Sequence, residues 1–435
     1  MKLNFKFYTN HLLKSEILRS VSVLITGTVV AQLLSILLRP ILSRLFSPES
    51  FGIFSVYSSL VGIIMILSSL KYDDAIVLPK SDKESTNVLG LALIINFIIN
   101  TLIFILVILF GKGLISFLGL PSNFPVPMLY IIPLGVFIFS SYQSLNAWLI
   151  RKQKYISVSV NKLVRRSSEG VSQISFALLK VFNGLIYSDI IGQTANVTTA
   201  AVQARKNGLN LKLVSIPKLK YVLRKYSEFP KFNLIPSLMS SSSYLLPPIF
   251  INKFYSADIA GFFDLSKLLL SIPLALIAAS VSNVLLQKVS EKFNKKESFL
   301  SELKPVLSIV LLISLLEIIA ILLFGENLFR IVFGDRWIDS GRISKIMVWS
   351  FAFNFIASSF TSMFIAMRRI KTFSFWQAFY FVSILSLLLF KHLPFIEFLK
   401  IYVGIEVFCY FIVVLILLSI IYRYESSIIR EKSKL

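Results

Sequence analysis

Apolar residues in this chain come in long blocks separated by short polar turns and basic loops. The blocks run to about 18–25 residues, the length a helix needs to cross a hydrocarbon core about 30 Å thick. In lipid every backbone N–H and C=O must be satisfied inside its own segment, so such blocks are helices. The expected fold class is all-α, a polytopic membrane protein. Of 435 residues, 56% are hydrophobic and 15% charged. Soluble domains carry about 25% charge, which rules out a water-soluble fold. The first block follows a basic start (Lys2, Lys6, Lys14, Arg19), and no small-residue cleavage site follows it. It reads as a retained span and not as a signal peptide.

Twelve spans are expected, at 21–38, 52–70, 88–110, 128–150, 156–179, 185–202, 232–251, 261–286, 305–324, 343–366, 373–390 and 401–422. The one at 156–179 is the least apolar. Without it, the basic residues from Arg205 to Lys231 would face the side opposite the basic N-terminus. With it, they share the N-terminal side with Lys288, Lys292, Lys295, Lys296 and Lys304, and with Arg368, Arg369 and Lys371. Positive charge marks cytoplasmic loops, so both termini are expected on the cytoplasmic side of the membrane.

The chain also repeats itself. Residues 37–54, LLRPILSRLFSPESFGIF, return at 245–263 as LLPPIFINKFYSADIAGFF. Leu37, Leu38 and Pro40 fall on Leu245, Leu246 and Pro248; after a one-residue slip, Ser47, Glu49, Gly52 and Phe54 fall on Ser256, Asp258, Gly261 and Phe263. Phe110-Gly111 returns as Phe324-Gly325, and Arg151-Lys152-Gln153-Lys154 as Arg368-Arg369-Ile370-Lys371. Echoes in one order, roughly 210–215 residues apart, predict a duplicated half. The expected domains are a six-helix bundle over 1–203, a basic cytoplasmic linker over 204–231 and a second six-helix bundle over 232–435.

Charges inside the spans are the candidate functional groups. Lys162, Arg165, Arg166, Glu169 and Gln173 share one span. At 100° per residue they fall within an arc of about 100°, one polar face on an otherwise apolar helix. A charge at bilayer depth costs about 2.5–3.5 kcal/mol, so this face should line water and not lipid. Glu169 can neutralise a neighbour one turn back, leaving a net cationic stripe. Lys162 and Arg165 have a second reading, as a helix end that snorkels or extends into water. The next span carries Asp189, Gln193, Asn196 and Gln203 on one face. Asp189 reads as a proton or ion site, or as an interfacial carboxylate. Lys267 with Asp264, and Glu317 and Glu406, are further charges within spans, while Arg39 and Lys71 end the first two. Glu317 and Glu406 read either as buried hydrogen-bonded carboxyls or as cation-coupling groups; Arg39 and Lys71 read as ligands or as interface anchors.

A cavity lined by Arg and Lys suits an anion, since the Arg fork matches phosphate oxygens and Lys is a point charge. A lipid-linked diphosphate has that charge and leaves its tail in the bilayer. Candidate substrate-binding residues are therefore Arg165, Arg166, Lys162, Lys267, Arg39 and Lys71. Candidate ion-coupling residues are Asp189, Glu169 and Glu317.

Enzyme chemistry finds little support. There is no phosphate-binding G-x-x-x-x-G-K-[ST] loop and no G-x-S-x-G elbow. Cys409 is the single cysteine, and His11 and His392 lie near opposite ends, so no cofactor or metal is expected. Active transport by such a chain would be coupled to an ion or ligand gradient. Residues 218–230, KLKYVLRKYSEFP, interleave basic and apolar side chains in the manner of a segment on an anionic leaflet. No nucleic-acid recognition motif accompanies them.

The run RPILSRLFSPESFGIFSVY, followed by Lys71-Tyr72-Asp73-Asp74-Ala75-Ile76-Val77-Leu78-Pro79, resembles the opening of Wzx-type polysaccharide repeat-unit flippases. These belong to the multidrug/oligosaccharidyl-lipid/polysaccharide exporter superfamily. The turns Tyr226-Ser227-Glu228-Phe229-Pro230 and Phe333-Gly334-Asp335-Arg336-Trp337 resemble the same family. The resemblance spans essentially the whole chain. It implies two six-helix bundles around a central cavity that opens alternately to each side. It implies passage of an undecaprenyl-diphosphate-linked oligosaccharide to the periplasmic leaflet, with membrane lipids, a polysaccharide polymerase and a chain-length regulator as further partners. A cationic cavity is implied too, matched in character by Arg165 and Arg166. A peptidoglycan-precursor flippase, a multidrug extruder and a polysaccharide polymerase are the alternatives.

Overall fold

The structure, a computed structural model, describes residues 16–120 and 124–432. The basic start through Lys14, with His11, and the side chain of Arg19 lie outside the described residues, as do 433–435. Two compact units emerge, one of residues 1–50 and 56–238, the other of 51–55 and 239–435.

The first unit holds α1 (Glu16–Leu45), α2 (Pro48–Ser68), α3 (Asp82–Leu118), α4 (Ile131–Arg151), α5 (Tyr155–Leu178), α6 (Gly184–Lys206) and the short α7 (Ile216–Lys225). Most of α8 (Leu234–Phe254), then α9 (Ala257–Lys295), α10 (Leu300–Phe333), α11 (Ile338–Phe360), α12 (Ser362–Ala366), α13 (Ile370–Leu385) and α14 (Phe395–Lys432) make the second. Among the described residues, 10 helical stretches are long and apolar enough to cross a membrane. The helices α5 and α6 fall short in apolarity but not in length. Their 24 and 23 residues rise about 35 Å. With these two, every expected span is a helix. The polar faces of the pair meet each other, and α5 also packs on α1.

The duplicated motif has a structural counterpart. Ser47 caps α2, its hydroxyl accepting from the Ser50 N–H at 3.2 Å, and Ser256 caps α9, accepting from the Ile259 N–H at 3.2 Å. A carboxylate follows each cap two residues on, Glu49 and Asp258, where it meets the positive end of the helix dipole.

Several helices outrun their apolar blocks. The stretch 71–87, between the expected spans 52–70 and 88–110, holds a 3-10 turn (Tyr72–Val77) and the first turns of α3. Ser81 caps α3, accepting from the Glu84 N–H at 3.2 Å, and Gly119 ends it in the left-handed region at φ 67°. The outer faces of these helices are apolar: Phe97, Leu102 and Leu109 of α3, and Leu312, Leu316 and Leu323 of α10, are exposed. That pattern suits lipid contact. Inside the second unit α11 is the central helix, packed by α9, α10 and α14, with Met347, Val348 and Phe355 buried.

The basic stretch after α6 is folded against the first unit. Buried Asn87 donates to the Leu213 carbonyl at 3.2 Å and accepts from the Ser215 N–H at 3.1 Å. Tyr72 donates its hydroxyl to the Leu223 carbonyl at 2.9 Å. Glu84 receives both the Lys225 ammonium at 2.6 Å and the Tyr226 hydroxyl at 2.8 Å. The Glu84 hydrogen bond holds the Lys225 ammonium above the usual lysine range. A strap is thus pinned to the start of α3 through residues some 130 positions distant in sequence. Replacing Asn87 by Ala leaves two backbone groups without their partner, a loss of about 1–3 kcal/mol. Amides around 211–226 should then exchange hydrogen faster by an order of magnitude or more; unchanged exchange would refute the pinning role.

Candidate functional site

The polar face of α5 lies between α1 and α6. Close approach depends on small residues: a Cβ on Gly192 of α6 would lie 2.9 Å from the Glu169 Cβ and 3.0 Å from the Arg165 carbonyl oxygen. Gly27 of α1 comes nearer still to the Ser159 side chain. This proximity brings Asp189 to Arg165, with 3.3 Å between a carboxylate oxygen and a guanidinium nitrogen. The Gln193 amide oxygen, turned toward the same guanidinium, accepts from it at 2.7 and 3.2 Å. Tyr57 of α2 donates to the other Asp189 oxygen at 3.3 Å, and the Phe139 ring of α4 lies 5.3 Å from the guanidinium carbon. Asp189 is buried and Arg165 half-buried.

One position along, Arg166 pairs with Glu169 at 2.9 Å, and Gln173 donates to the other Glu169 oxygen at 3.4 Å. Arg39 of α1 shares a small cleft with Arg166, Glu169 and Gln173. Lys162, nearer the start of α5, donates to the Thr28 hydroxyl of α1 at 2.7 Å. Four cationic side chains and two carboxylates therefore gather around α5, and charge of opposite sign holds both arginines in place. Such pairs are oriented forks, ready to exchange one set of anionic oxygens for another.

The remaining sequence candidates lie elsewhere. Lys71, in the left-handed region at φ 64°, pairs with Asp74 at 3.4 Å at the mouth of a cavity of about 340 Å³ lined by Gln143 and Asn146 of α4. Burial pushes the Asp74 carboxyl above the usual range, and neighbouring Asp73 adds to the shift. Glu317 stands midway along α10 with one carboxylate oxygen buried and without a hydrogen-bond partner among the described residues. Lys267 is in the second unit, its ammonium 3.3 Å from the Tyr244 ring centroid and donating to the Tyr244 carbonyl.

Lys267 also feels Asp264 and Glu406 electrostatically. Glu406 accepts from the Tyr380 hydroxyl at 2.9 Å, which in turn accepts from Tyr410 at 3.2 Å, while Asn354 donates to Tyr410 at 2.6 Å. Of the two readings open for Glu406, the structure shows the buried, hydrogen-bonded carboxyl. Its tyrosine partners went unremarked in the sequence, although Tyr402, Glu406 and Tyr410 stand at i, i+4 and i+8 on one stripe of α14. Tyr57 and Gly192 were missed as well, because neither carries charge.

A family model described as polysaccharide biosynthesis protein matches residues 41–342. No curated protein matches the chain. Among solved structures, a multidrug resistance MATE family transporter of the MOP superfamily, inward-facing, is 17% identical with a TM-score of 0.71, over 91% of this chain and 96% of its own. The lipid II flippase MurJ in an inward closed conformation is 15% identical with a TM-score of 0.71, over 90% and 87%. An outward-facing MATE transporter gives 14% and 0.56, over 96% and 98%. At these identities the likeness is one of fold, and it is the all-helical fold of a multi-pass membrane protein. Since the family model covers more than half of its residues, the chain belongs to the polysaccharide biosynthesis protein family.

Proposed function

We propose that the protein is a flippase. Its substrate is an undecaprenyl-diphosphate-linked oligosaccharide repeat unit of O-antigen or capsule type. It carries this unit from the cytoplasmic to the periplasmic leaflet of the bacterial inner membrane, with both termini cytoplasmic. The observation that supports this reading is the pair of adjacent arginines on α5, each paired with a carboxylate on the polar face that the helix turns toward α1 and α6.

The chemistry is an exchange of anions. Phosphate oxygens of the diphosphate replace Asp189 on Arg165 and Glu169 on Arg166, while Arg39 and Lys162 add positive charge beside them. Substrate release into the periplasmic leaflet re-forms both ion pairs. A proton or another cation moving inward through Asp189, Glu169 or Glu317 then resets the carrier, so transport is coupled to an ion gradient and no nucleotide is needed. Glu317, with one buried oxygen that has no hydrogen-bond partner among the described residues, is a third carboxyl able to carry a proton. Lys267 is held by the Tyr244 ring and carbonyl, so in this reading it supports the second unit's polar network and meets substrate only after breaking those contacts. A multidrug extruder for cationic drugs would need the opposite sign of charge.

Deleting the gene and extracting surface glycan with lipid-linked intermediates tests the reading. Viable cells that lose surface polysaccharide and accumulate complete lipid-linked repeat units are expected. Glycan reduced to a single repeat per anchor would indicate a polymerase instead, and lysis would indicate a peptidoglycan precursor as substrate.

A further inference from the structure

The second unit contains a groove of about 670 Å³ walled by the end of α9, the start of α13 and the C-terminal half of α14. Its chemistry is graded along α14. Leu415, Ile416 and Ile420 form the apolar end, and Ser419, Arg423 and Ser427, at i, i+4 and i+8, form a polar stripe beside them. From Leu415 to Ser427 the helix rises about 18 Å. Phe293 and Met367 add to the apolar wall; Arg369 and Thr372, at the start of α13, add to the polar rim. The groove thus has the gradient of an amphiphile, apolar toward mid-span and cationic toward the helix end.

Two further observations concern the cationic end. Neither guanidinium, of Arg369 or of Arg423, has an ion-pair or side-chain hydrogen-bond partner among the described residues, whereas Arg165 and Arg166 both hold carboxylates. In addition, no side chain caps α13, so its first N–H groups remain as donors beside Arg369. Both arginines are exposed at the end of an apolar span, the depth of lipid headgroups.

We propose that this groove is a binding site for an anionic glycerophospholipid of the leaflet that meets the C-terminal end of α14. Arg369 and Arg423 grip the phosphate, the hydroxyls of Thr372 and Ser419 meet the glycerol ester region, and the upper part of an acyl chain lies along Leu415, Ile416 and Ile420. One phosphodiester suits two guanidiniums from two elements, and the short apolar wall suits the first turns of a chain. The site is independent of the arginine cluster on α5, which belongs to the other unit.

The test is native mass spectrometry on the purified full chain in detergent, offered phosphatidylglycerol and phosphatidylcholine at equal concentration. At about 1 kcal/mol per basic residue, the wild type should prefer phosphatidylglycerol by about tenfold or more. Arg369→Gln with Arg423→Gln should abolish the preference without changing the lipid-free melting temperature, since neither head group holds the fold together. Equal uptake of the two lipids by the wild type would overturn the proposal, and this arm needs no variant. Retention of the preference by the double variant would also overturn it. A third arm adds undecaprenyl phosphate: displacement of phosphatidylglycerol by a small excess would assign the groove to the carrier lipid and reject the phospholipid as its occupant.

Discussion

A strain carrying Arg165→Ala and Arg166→Ala is expected to make no surface polysaccharide and to accumulate the lipid-linked repeat unit. Alanine changes alone, single or double, do not separate folding from transport, because each strands a carboxylate. Asp189 is buried, and removing Arg165 leaves its charge without the partner 3.3 Å away. Breaking a buried pair in this way costs about 3 kcal/mol, enough to lower protein abundance by itself. Neutralising both members separates folding from transport. Arg165→Gln with Asp189→Asn, and Arg166→Gln with Glu169→Gln, keep groups that hydrogen-bond and remove charge in balanced pairs. The fourfold variant should accumulate to near wild-type level yet transport nothing. Normal polysaccharide from that variant would remove the arginines from the mechanism.

Gly192→Leu is expected to have an effect nearly as large from a residue without charge. A Cβ at this position already lies 2.9 Å from the Glu169 Cβ and 3.0 Å from the Arg165 carbonyl. Backbone cannot swing aside as a side-chain end can, so α6 must move off α5. Overpacking of this kind costs about 1–3 kcal/mol. The displacement also separates Asp189 from Arg165, because α6 carries the carboxylate and α5 the guanidinium. Melting temperature should fall by several degrees and transport should be lost. Gly113→Leu, on α3 where nothing lies within 4 Å of the new Cβ, is the control and should leave both unchanged. Equal behaviour of the two variants would show that the α5–α6 approach does not matter.

What could be read from sequence follows the range of each interaction. The stripe from Lys162 to Gln173 is visible because helical periodicity alone puts those residues on one face, and the pairing of Glu169 with Arg166 follows from an i, i+3 spacing. The Arg165–Asp189 pair depends on the register of α6 against α5, set by Gly192, and no local pattern encodes it. The same limit hides the strap: 218–230 reads as an amphipathic surface segment, but its attachment to Asn87 and Glu84 is tertiary. The echo of 37–54 at 245–263 is legible because it is a run of sequence, and its Ser47 and Ser256 do the same capping work at the starts of α2 and α9. Hydropathy is weakest at α5 and α6, where polar residues replace apolar ones because the faces that bear them meet each other and not lipid.

The most direct test of the central claim is transbilayer movement in reconstituted vesicles. The lipid-linked repeat unit accumulated by the deletion strain is incorporated in both leaflets with the purified protein, and its glycan is exposed to a membrane-impermeant periodate reagent from outside. With wild-type protein the inner-leaflet pool should become reactive within minutes, and with the fourfold neutral variant it should stay protected. An inner pool that stays protected with wild-type protein, under an imposed proton or sodium gradient of either direction, would contradict the account.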